Sequence, residues 1–600
     1  MKRFLVTLQV FLACASALCG QEMLFQQAPG PTHPKDKTRI EVEALFSMPP
    51  PSGYLPVRVR IVNQRTSAAT IKLSTKSSNG HSYSDAGSEV ASSFRMDAEA
   101  ESNSSHDILV PLSADYDRDG VNAVVEMTGS FGYNSGNLSS NYSENFPAVL
   151  MSEALYTPNS SRLDSELNGS STHRYGGSHS FAARFEPTKM PEDWRAYSGY
   201  DQMILTVSDW TKITPGARNA ILKWCRLGGA ILICSSGGGS ANWSSLGIDV
   251  SDSSMALNYG YGRIESEGIP ANLQMDAAAT IDRFLHPQSA SRDVGSNITS
   301  ILSDYSNIWP LHKAFREGKA EFEYGIFVVV LVIFGVLVGP VNLFVFAKSG
   351  RRHRLFITTP IISLAASALL ILLILVKDGV GGRGIRMTLM EVRPDQKENT
   401  AYMVQEQVSR TGVLLGQSFA VKEEAYMTPV PIQQSPWARL TPYNGGGGAR
   451  YSVEFADGDM KVSGDWFQSR SEQGQLIKSV MPTRGQIQLT NSAGPPKFMS
   501  RFEFPLEALY FKDSSGGYWK SDGVNSGSTT TAESISKAEY ETTVATYASK
   551  FGKRHRAVLL AAAERVDHFV AFSKDAPAVE TFDSIDWAET GTIITGPIVR

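Results

Sequence analysis

An acidic stretch early in the chain has the spacing of a calcium-binding loop. In the pattern D-x-D-x-D-G-x5-E, three aspartates, a backbone carbonyl and a bidentate glutamate surround one hard cation. The sequence DYDRDG, followed by VNAVVE, matches this spacing and predicts a weak extracellular calcium site at Asp115, Asp117, Asp119, Val121 and Glu126. The flanks have the alternation of strands rather than helices, so a solvated Asp-Gly turn is the alternative. Calcium is the one cofactor that the sequence suggests.

Cysteine is scarce, and one cysteine occupies a position where a nucleophile could lie. The chain has four cysteines, of which two lie in the first 20 residues, leaving Cys225 and Cys234. Two cysteines do not make a disulfide scaffold, and their spacing does not decide whether they pair. Cys234 ends the apolar run Ala230–Ile233 and precedes a Ser-Ser-Gly turn. It is a weak candidate for a catalytic thiol, and a small buried hydrophobe is the alternative.

The N-terminus has the layout of a secretory signal peptide. A basic Met1-Lys2-Arg3 precedes the apolar run Phe4–Leu18 and the small-residue cleavage candidate Ala17-Leu18-Cys19. We therefore predict a signal peptide over residues 1–20, with an uncleaved anchor as the alternative.

Two apolar segments in mid-chain predict a transmembrane hairpin. Ile326–Ala347 and Leu355–Val376 are each long enough for a helix that crosses the hydrocarbon core, and neither carries a charge. Residues 348–354 between them carry four Lys or Arg residues, which predicts a cytoplasmic loop. Both large arms are then extracytoplasmic, and the lipid bilayer is a partner. Gly335 and Gly339 permit close helix contact, either within the hairpin or between two copies in a homo-oligomer.

The net charge of −4 argues against nucleic-acid binding.

The two arms are predicted to fold as separate units. Period-2 alternation predicts an antiparallel β-sandwich over residues 38–146 and a β-rich extracytoplasmic domain over residues 385–530. Residues 531–600 predict two helices broken near Gly552 and a terminal strand. The second helix is expected over residues 556–572, after a solvated basic junction at residues 553–556.

Residues 147–300 change from alternating to continuous apolar runs, which indicates buried parallel strands. Tyr200–Thr206 is one such run and Ala230–Ile233 is another. Between them Thr214 can cap a helix whose apolar face includes Trp224 and which ends at Gly228. A strand, a helix and a strand in this order predict a right-handed parallel crossover.

The stretch YDQMILTVSDWTKITPGARNAILKWCRLGGAILICSSGG resembles the core of the class I glutamine amidotransferase-like, or flavodoxin-like, domain of uncharacterised bacterial two-span envelope proteins. The hairpin segment GPVNLFVF…RRHRLFITTPI is similar to the two spans of those proteins, so the resemblance covers about residues 148–376. It implies a multidomain membrane protein with a β-sandwich, a flavodoxin-like domain, a two-helix hairpin and a C-terminal β-rich domain with terminal helices. Amidotransferases pair their cysteine with a His-x-Glu motif, and this arm has none after Cys234: His286 is followed by Pro287 and Gln288.

The sequence therefore favours a non-catalytic binding or scaffolding protein of the bacterial cell membrane, with both arms on the periplasmic side and an envelope protein as partner. Two alternatives stay open. One is a cysteine-dependent amidase or hydrolase that uses Cys234, and the other is an accessory subunit of a transport or secretion complex.

Overall fold

The computed structural model describes residues 22–29, 37–79, 88–114, 120–140, 142, 146–170, 178–237, 242–248, 256–285, 309–317, 324–346, 350, 352–394, 399–432, 435–440, 448–456, 459–491 and 494–600. In these parts of the chain β-structure predominates, in several sheets accompanied by some helices. The expected signal peptide and the three aspartates of the acidic loop lie outside the described residues.

The N-terminal arm begins with eight strands in two sheets that share one apolar core. Alternating residues such as Val57, Val59 and Ile61 are fully buried, as expected for strands with one face on a core. One sheet has the order β1-β2-β3-β6, and the other contains β5-β4-β7-β8. Their bounds are β1 Glu22–Gln27, β2 Arg39–Ala44, β3 Tyr54–Asn63, β4 Ala69–Asn79, β5 Glu89–Ala98, β6 Ser102–Pro111, β7 Val121–Gly129 and β8 Asn134–Ser139.

The second part of the arm is an α/β unit. Its sheet has the order β10-β9-β11-β12-β14-β13; the first five strands are parallel, and β13 pairs antiparallel at the edge. The bounds are β9 Val149–Ser152, α1 Glu153–Ser170, β10 Ala182–Phe185, β11 Gln202–Thr206, α2 Val207–Lys212, α3 Pro215–Arg226, β12 Ala230–Ser236, β13 Ala256–Tyr259, β14 Gly262–Ile269 and α4 Ala277–Leu285. Short 3₁₀ turns cover Pro187–Lys189, Trp194–Tyr197 and Ser244–Leu246.

Helix α3 confirms the helix expected between two buried strands. The Thr214 hydroxyl accepts a hydrogen bond from the Ala217 amide, and Pro215 occupies the first turn, where its missing N–H is not needed. Trp224 and its apolar neighbours are buried against the sheet. The crossover from β11 through α3 to β12 is therefore formed as the local sequence indicates.

The mid-chain apolar segments are helical. The helices here are α5 Pro310–Glu317, α6 Tyr324–Val336, a π-helical segment Leu337–Phe346, a 3₁₀ turn Arg352–Arg354 and α7 Leu355–Asp378. Within the described residues, one helix, Arg352–Leu372, is long and apolar enough to cross a membrane, and Leu331–Val345 is a shorter apolar stretch. Pro340 interrupts the α-helix of the first segment because it has no N–H to donate to the carbonyl four residues earlier, and the chain around it forms a π-helix. The side chains of Thr358 and Thr359 bond Asn342 across the two helices, at 2.6 and 2.9 Å.

The C-terminal arm is built on one large sheet. Its main order is β18-β21-β16-β15-β29-β28-β24-β25-β27, with β22, β23 and β26 attached at its side. The strands are β15 Gly382–Arg393, β16 Asn399–Thr411, β17 Phe419–Val421, β18 Ala425–Val430, β19 Arg450–Ala456, β20 Asp459–Gly464, β21 Glu472–Thr483, β22 Ile487–Asn491, β23 Lys497–Ser500, β24 Leu506–Lys512, β25 Tyr518–Val524, β26 Thr529–Thr531, β27 Glu533–Ile535, β28 His568–Ser573 and β29 Ile585–Val599. The helices are α8 Lys537–Ala548 and α9 Lys553–Ala563.

Three features of this arm differ from the expectation. Helix α9 ends at Ala563, and residues expected to continue it form β28, because β28 completes the sheet between β24 and β29. The expected solvated junction lies in the first turn of α9, where Arg554 and His555 are buried. The terminal strand β29 is central, since it pairs parallel with β15 on one side and antiparallel with β28 on the other.

The two arms are joined by shared structure. Strand β19 pairs parallel with β5 of the N-terminal arm, so β17, β20 and β19 extend the second sheet of the sandwich to seven strands. One apolar cluster also runs from the α/β unit, through Trp224, to Tyr402 and Tyr426 of the C-terminal sheet. Chain order alone does not show this contact between the arms.

Candidate functional site

Cys234 lies inside the α/β unit rather than at an accessible strand end. The side chain has no exposed surface and packs in an apolar cluster with Ile204 and Leu232. Burial, together with the nearby carboxylate of Glu267, raises the pKa of the thiol to about 12, although Arg283 acts in the opposite direction. A thiol with this pKa is protonated at neutral pH, and the protonated form is a poor nucleophile.

Cys225 and Cys234 are both free thiols in the structure. Cys225 lies in α3, where its sulfur donates to the carbonyl of Arg263 at 3.5 Å, and burial raises its pKa as well. The possible pairing that the sequence left open is therefore not formed.

The structure does not bring together the two described members of the acidic-loop pattern. Val121 and Glu126 are five residues apart on strand β7, which corresponds to about 16 Å along the strand. Calcium ligands lie about 2.3–2.6 Å from the ion, so a backbone carbonyl and a carboxylate this far apart do not face one ion. The described residues contain no group of three or more His, Cys, Asp or Glu side chains placed to hold a metal. Because Asp115, Asp117 and Asp119 lie outside those residues, calcium binding stays a prediction.

A polar crevice of about 620 Å³ lies where the sandwich, the α/β unit and the C-terminal arm meet. We call it the junction crevice and define it by six charged residues from the three parts: Arg58, Asp107, Glu192, Asp193, Lys223 and Glu424. Its size is within the range of ligand-binding clefts in proteins, and its charged lining favours a polar occupant.

The sandwich wall of the junction crevice is a bidentate ion pair. Arg58 on β3 and Asp107 on β6 are register partners, and the guanidinium donates to both carboxylate oxygens at 2.7 and 2.8 Å. The same guanidinium lies 3.5 Å from the carbonyl of Lys189 in the α/β unit. Parallel N–H donors to one carboxylate fix the geometry of both side chains.

The α/β wall is held in a similar way. Arg195 donates to both oxygens of Asp193, at 3.0 and 2.6 Å, and its guanidinium lies 5.2 Å from the ring centre of Phe455 in the C-terminal arm. Glu192 accepts from the Thr214 hydroxyl at 3.0 Å, beside the start of α3. A Cβ atom at Gly216 would lie within 2.6 Å of the Glu192 carboxylate, so glycine permits this close approach.

Helix α3 and the C-terminal arm supply the remaining charges. Asn219 and Lys223 are one helical turn apart on α3 and both line the crevice. Glu424 comes from the turn before β18, where its carbonyl accepts from the Ser479 hydroxyl at 3.1 Å. The crevice therefore presents both signs of charge on walls whose backbone is fixed by neighbouring strands.

Sequence reasoning missed these residues. Arg58 and Asp107 lie on alternating strands where charged side chains are ordinary, and Glu424 lies in a short polar turn. The only local signal is the Asp193-x-Arg195 spacing, which does not distinguish a crevice wall from a surface ion pair. The crevice exists because three distant parts of the chain meet.

Buried charges also join the arms. Arg226 at the end of α3 lies between the rings of Tyr259 and Tyr402, with its guanidinium carbon 4.6 and 5.3 Å from their centres. It donates to both hydroxyls, at 2.9 and 3.1 Å. Arg565 of the C-terminal arm donates to the carbonyl of Gly260 in the α/β unit at 2.8 Å, and it also pairs at 3.0 Å with Glu391 on β15, which is fully buried. Although burial raises the pKa of Glu391, the surrounding arginines lower it overall, so the carboxylate is charged.

Helix α5, which precedes the first apolar helix, is attached to the C-terminal sheet by buried carboxylates. The Trp309 indole donates to Glu406 at 2.8 Å, and His312 lies 3.1 Å from Glu472. Glu406 is also 2.5 Å from His555 of α9. The segment leading into the apolar helices is thus held on the same sheet that follows them.

Comparison with known proteins gives no family for this chain. No family model matches the sequence, and no curated protein is similar to it. Solved structures that match in part include a Paenibacillus cycloisomaltooligosaccharide glucanotransferase, with 10% identity over 34% of this chain and 29% of that one, at a TM-score of 0.15. A Bacteroides uniformis β-glucuronidase 2 mutant shares 9% identity over 34% of this chain and 24% of that one, at 0.14. The yeast delta-COP-I μ-homology domain shares 8% over 36% of this chain and 96% of that one, at 0.16.

This chain spans less than a third of the length of the two glycoside-active enzymes. At these TM-scores the similarities carry no argument about its fold or activity.

Proposed function

We propose that this chain is a membrane-anchored, extracytoplasmic binding or scaffolding protein of the bacterial envelope, and that its partner docks in the junction crevice. The observation that carries the proposal is the crevice itself: three parts of the chain combine to form one charged cleft of about 620 Å³. Two bidentate arginine–carboxylate pairs hold its walls before any partner arrives. A pre-organised cleft loses less conformational entropy on binding than a mobile one.

The α/β unit supports an assignment to the flavodoxin-like, glutamine amidotransferase-like group. Numbered along the chain, its five parallel strands have the spatial order 2-1-3-4-5. This is the order of flavodoxin-like doubly wound sheets. The fold assignment does not by itself imply an activity, since one fold supports many functions.

A non-catalytic role is supported by the state of Cys234. The thiol is buried in an apolar cluster, and its pKa of about 12 keeps it protonated. Catalytic cysteines instead lie in partly exposed, electropositive surroundings that lower the thiol pKa.

A membrane anchor is supported by the two apolar helices and their contact. Outward-facing side chains of both helices are apolar, including Phe344 and Leu364, at 71% and 74% exposed. The polar amide of Asn342 is satisfied by two threonines of the other helix, as a polar group in lipid requires. Gly335 and Gly339 have no neighbouring atom within 4 Å of a Cβ position, which supports their use between copies in a homo-oligomer rather than within the hairpin.

Site-specific photo-crosslinking in bacterial membranes tests the binding proposal. Benzoylphenylalanine replaces Asn219, which is exposed in the crevice, and in a matched control it replaces Ser514, which is exposed on a distant turn. We expect an adduct from position 219 and none from position 514. Lys223→Glu, which reverses one charge of the crevice lining, should weaken the adduct from position 219.

Absence of an adduct at position 219, or equal adducts at both positions, would refute docking in the crevice. An adduct with an integral membrane protein would select the accessory-subunit alternative among binding roles. The amidase alternative predicts instead that Cys234→Ser abolishes function while leaving the adduct intact.

A further inference from the structure

Four loops of the C-terminal arm gather at the point where the chain leaves the second apolar helix. Helix α7 ends at Asp378, and the amide of Val413 donates to the carbonyl of Gly379 at 3.1 Å. The Arg470 amide donates to the carbonyl of Gly412 at 2.9 Å, and the Glu472 amide donates to the carbonyl of Trp437 at 3.0 Å. These bonds tie the loops around residues 379–384, 412–415, 435–440 and 468–472 into one surface.

Large apolar side chains are exposed on this surface. Leu415 is 89% exposed and Val380 is 62% exposed, whereas the adjacent Leu414 packs inward against the core of the arm. Among the exposed large apolar side chains in the described part of the chain, Leu415 is the most exposed, ahead of Phe356 on helix α7 at 85%. Leu415 therefore leaves most of its apolar surface uncovered on a loop that backbone hydrogen bonds hold in place.

Arginines flank the two apolar side chains. Arg439 and Arg470 are both exposed, and Arg470 has a φ of 56°, a left-handed conformation that is uncommon for a non-glycine residue. The neighbouring Arg383 is also exposed, and its register partner on β29 is the exposed Asp586. We call Val380, Leu415, Arg439 and Arg470 the juxtamembrane rim.

We propose that the juxtamembrane rim rests on the phospholipid headgroup layer, with Leu415 and Val380 inserted and Arg439 and Arg470 directed to lipid phosphates. This inference rests on the proposed membrane anchor. The chain itself argues for this occupant: Val380 is two residues beyond α7, and the path from Val380 through the Val380–Val413 bridge places Leu415 at most about 12 Å away. Headgroup layers are about 5–8 Å thick on each side of the hydrocarbon core, so the rim is within reach of one.

The chemistry of the rim matches a lipid interface. Arginine binds phosphate in a bidentate manner, and apolar side chains between cationic groups are typical of surfaces that enter the headgroup region. The rim therefore adds a second, peripheral lipid contact beside the helices and fixes the C-terminal arm close to the bilayer.

Depth-dependent quenching in bilayer discs tests the inference on the full chain. Leu415→Cys carries an environment-sensitive NBD label, and Ser514→Cys provides the control, since it lies beyond the opposite end of the strands that begin at the rim. Cys14→Ser and Cys19→Ser remove two of the native thiols, and the other two, Cys225 and Cys234, are fully buried and do not take the label. With nitroxide-labelled phosphatidylcholine, the label at position 415 should be blue-shifted and lose most of its emission, and the label at position 514 should change little.

A third label, at Leu364→Cys in α7, separates this inference from the proposed function. Quenching at position 364 without quenching at position 415 would overturn the rim contact and leave the membrane anchor in place. No quenching at position 364 would overturn the anchor. Arg470→Glu should reduce quenching at position 415 and Arg470→Lys should preserve it; equal quenching in both variants would refute the phosphate contact.

Discussion

Replacing the buried Lys478 with methionine is expected to stabilise the C-terminal arm. Lys478 lies on β21 beside Val404 and Tyr426 and is only 5% exposed. Burial, and to a smaller extent repulsion from Arg554, lowers the pKa of its amine from 10.5 to about 7, while Asp201 acts in the opposite direction. Folding therefore forces part of the lysine population to give up its proton.

The sign and size of the effect follow from linkage between protonation and folding. Between pH 7 and pH 10.5 the unfolded chain holds the Lys478 proton and the folded chain does not, so stability rises with pH across this window. At about 1.4 kcal/mol for each pH unit, deprotonation of Lys478 on folding lowers the free energy of unfolding by roughly 4 kcal/mol at pH 7 and by almost nothing above pH 10.5. Methionine has a similar length and packs its chain in the same space, so Lys478→Met should recover most of that free energy at pH 7.

Thermal unfolding of the full chain in detergent, followed by tryptophan fluorescence at pH 7 and pH 10, measures the effect. A gain of this size should raise the transition that involves the C-terminal sheet by on the order of 10 °C at pH 7, and by far less at pH 10. The control Lys461→Met, at an exposed position on β20, should change the transition little at either pH. A Lys478→Met variant that melts below the native protein at pH 7, or whose difference is the same at both pH values, would refute the reasoning.

Three further predictions concern single side chains. Because burial raises its pKa, the Cys234 thiol of the folded protein should resist iodoacetamide at pH 8, and Cys234→Ser should leave binding unchanged; rapid alkylation seen by mass spectrometry would contradict this. Arg226→Met should destabilise the protein by about 2–4 kcal/mol, because it removes the hydrogen bonds that the guanidinium donates to the hydroxyls of Tyr259 and Tyr402. Limited proteolysis should then cut between the arms sooner than in the native protein. Although burial raises the pKa of Glu472, hydrogen bonds such as that from His312 lower it overall, so the ionised carboxylate stabilises the fold above about pH 4.5 and this stabilisation is lost at lower pH. Glu472→Gln should therefore make the melting temperature fall less steeply below that pH. The same fall in the variant and the native protein would count against this prediction.

Local chemistry explains the parts of the fold that the sequence made predictable. Helix α3 was expected because Thr214, Pro215 and the apolar spacing up to Trp224 lie within one short window. The strands of the sandwich were expected for the same reason, since period-2 alternation is visible within a few residues. The parallel crossover followed from two continuous apolar runs on either side of the helix.

Features that depend on distant partners were not predictable in the same way. Residues 568–573 have helical spacing in the sequence but form β28, because an open strand position between β24 and β29 outweighs local preference. The parallel pairing of β19 with β5 joins residues more than 350 positions apart. The junction crevice depends on this joining of the arms, so its residues could not be selected from the chain alone.

Charged residues inside strands were the one overlooked signal. Glu406 lies between Gln405 and Gln407 in β16, and Lys478 interrupts the apolar run of β21. Charges in the middle of a strand that is buried on both faces require partners. Here Trp309, just before α5, and His555 of α9 bond Glu406, and the Asp201 carboxylate of the α/β unit interacts electrostatically with Lys478. Such positions therefore indicate where another part of the chain is packed, even when the partner is not identifiable.

The attachment of the two apolar helices to the C-terminal sheet favours a fixed arrangement of the arms over a hinged one. The chain enters the apolar helices from α5, where His312 and the preceding Trp309 are bonded to carboxylates of β21 and β16, and it leaves them into β15 of the same sheet. The same sheet is joined to the α/β unit through Arg226, which donates to Tyr402, and through Arg565, which donates to the carbonyl of Gly260 at 2.8 Å. It is joined to the sandwich through β19. Arg226 and Arg565 are partly buried at these joints, so movement of one arm against the other would break hydrogen bonds from charged donors, each worth about 1.5–3 kcal/mol. A partner bound in the junction crevice would therefore be held at a fixed distance from the two apolar helices.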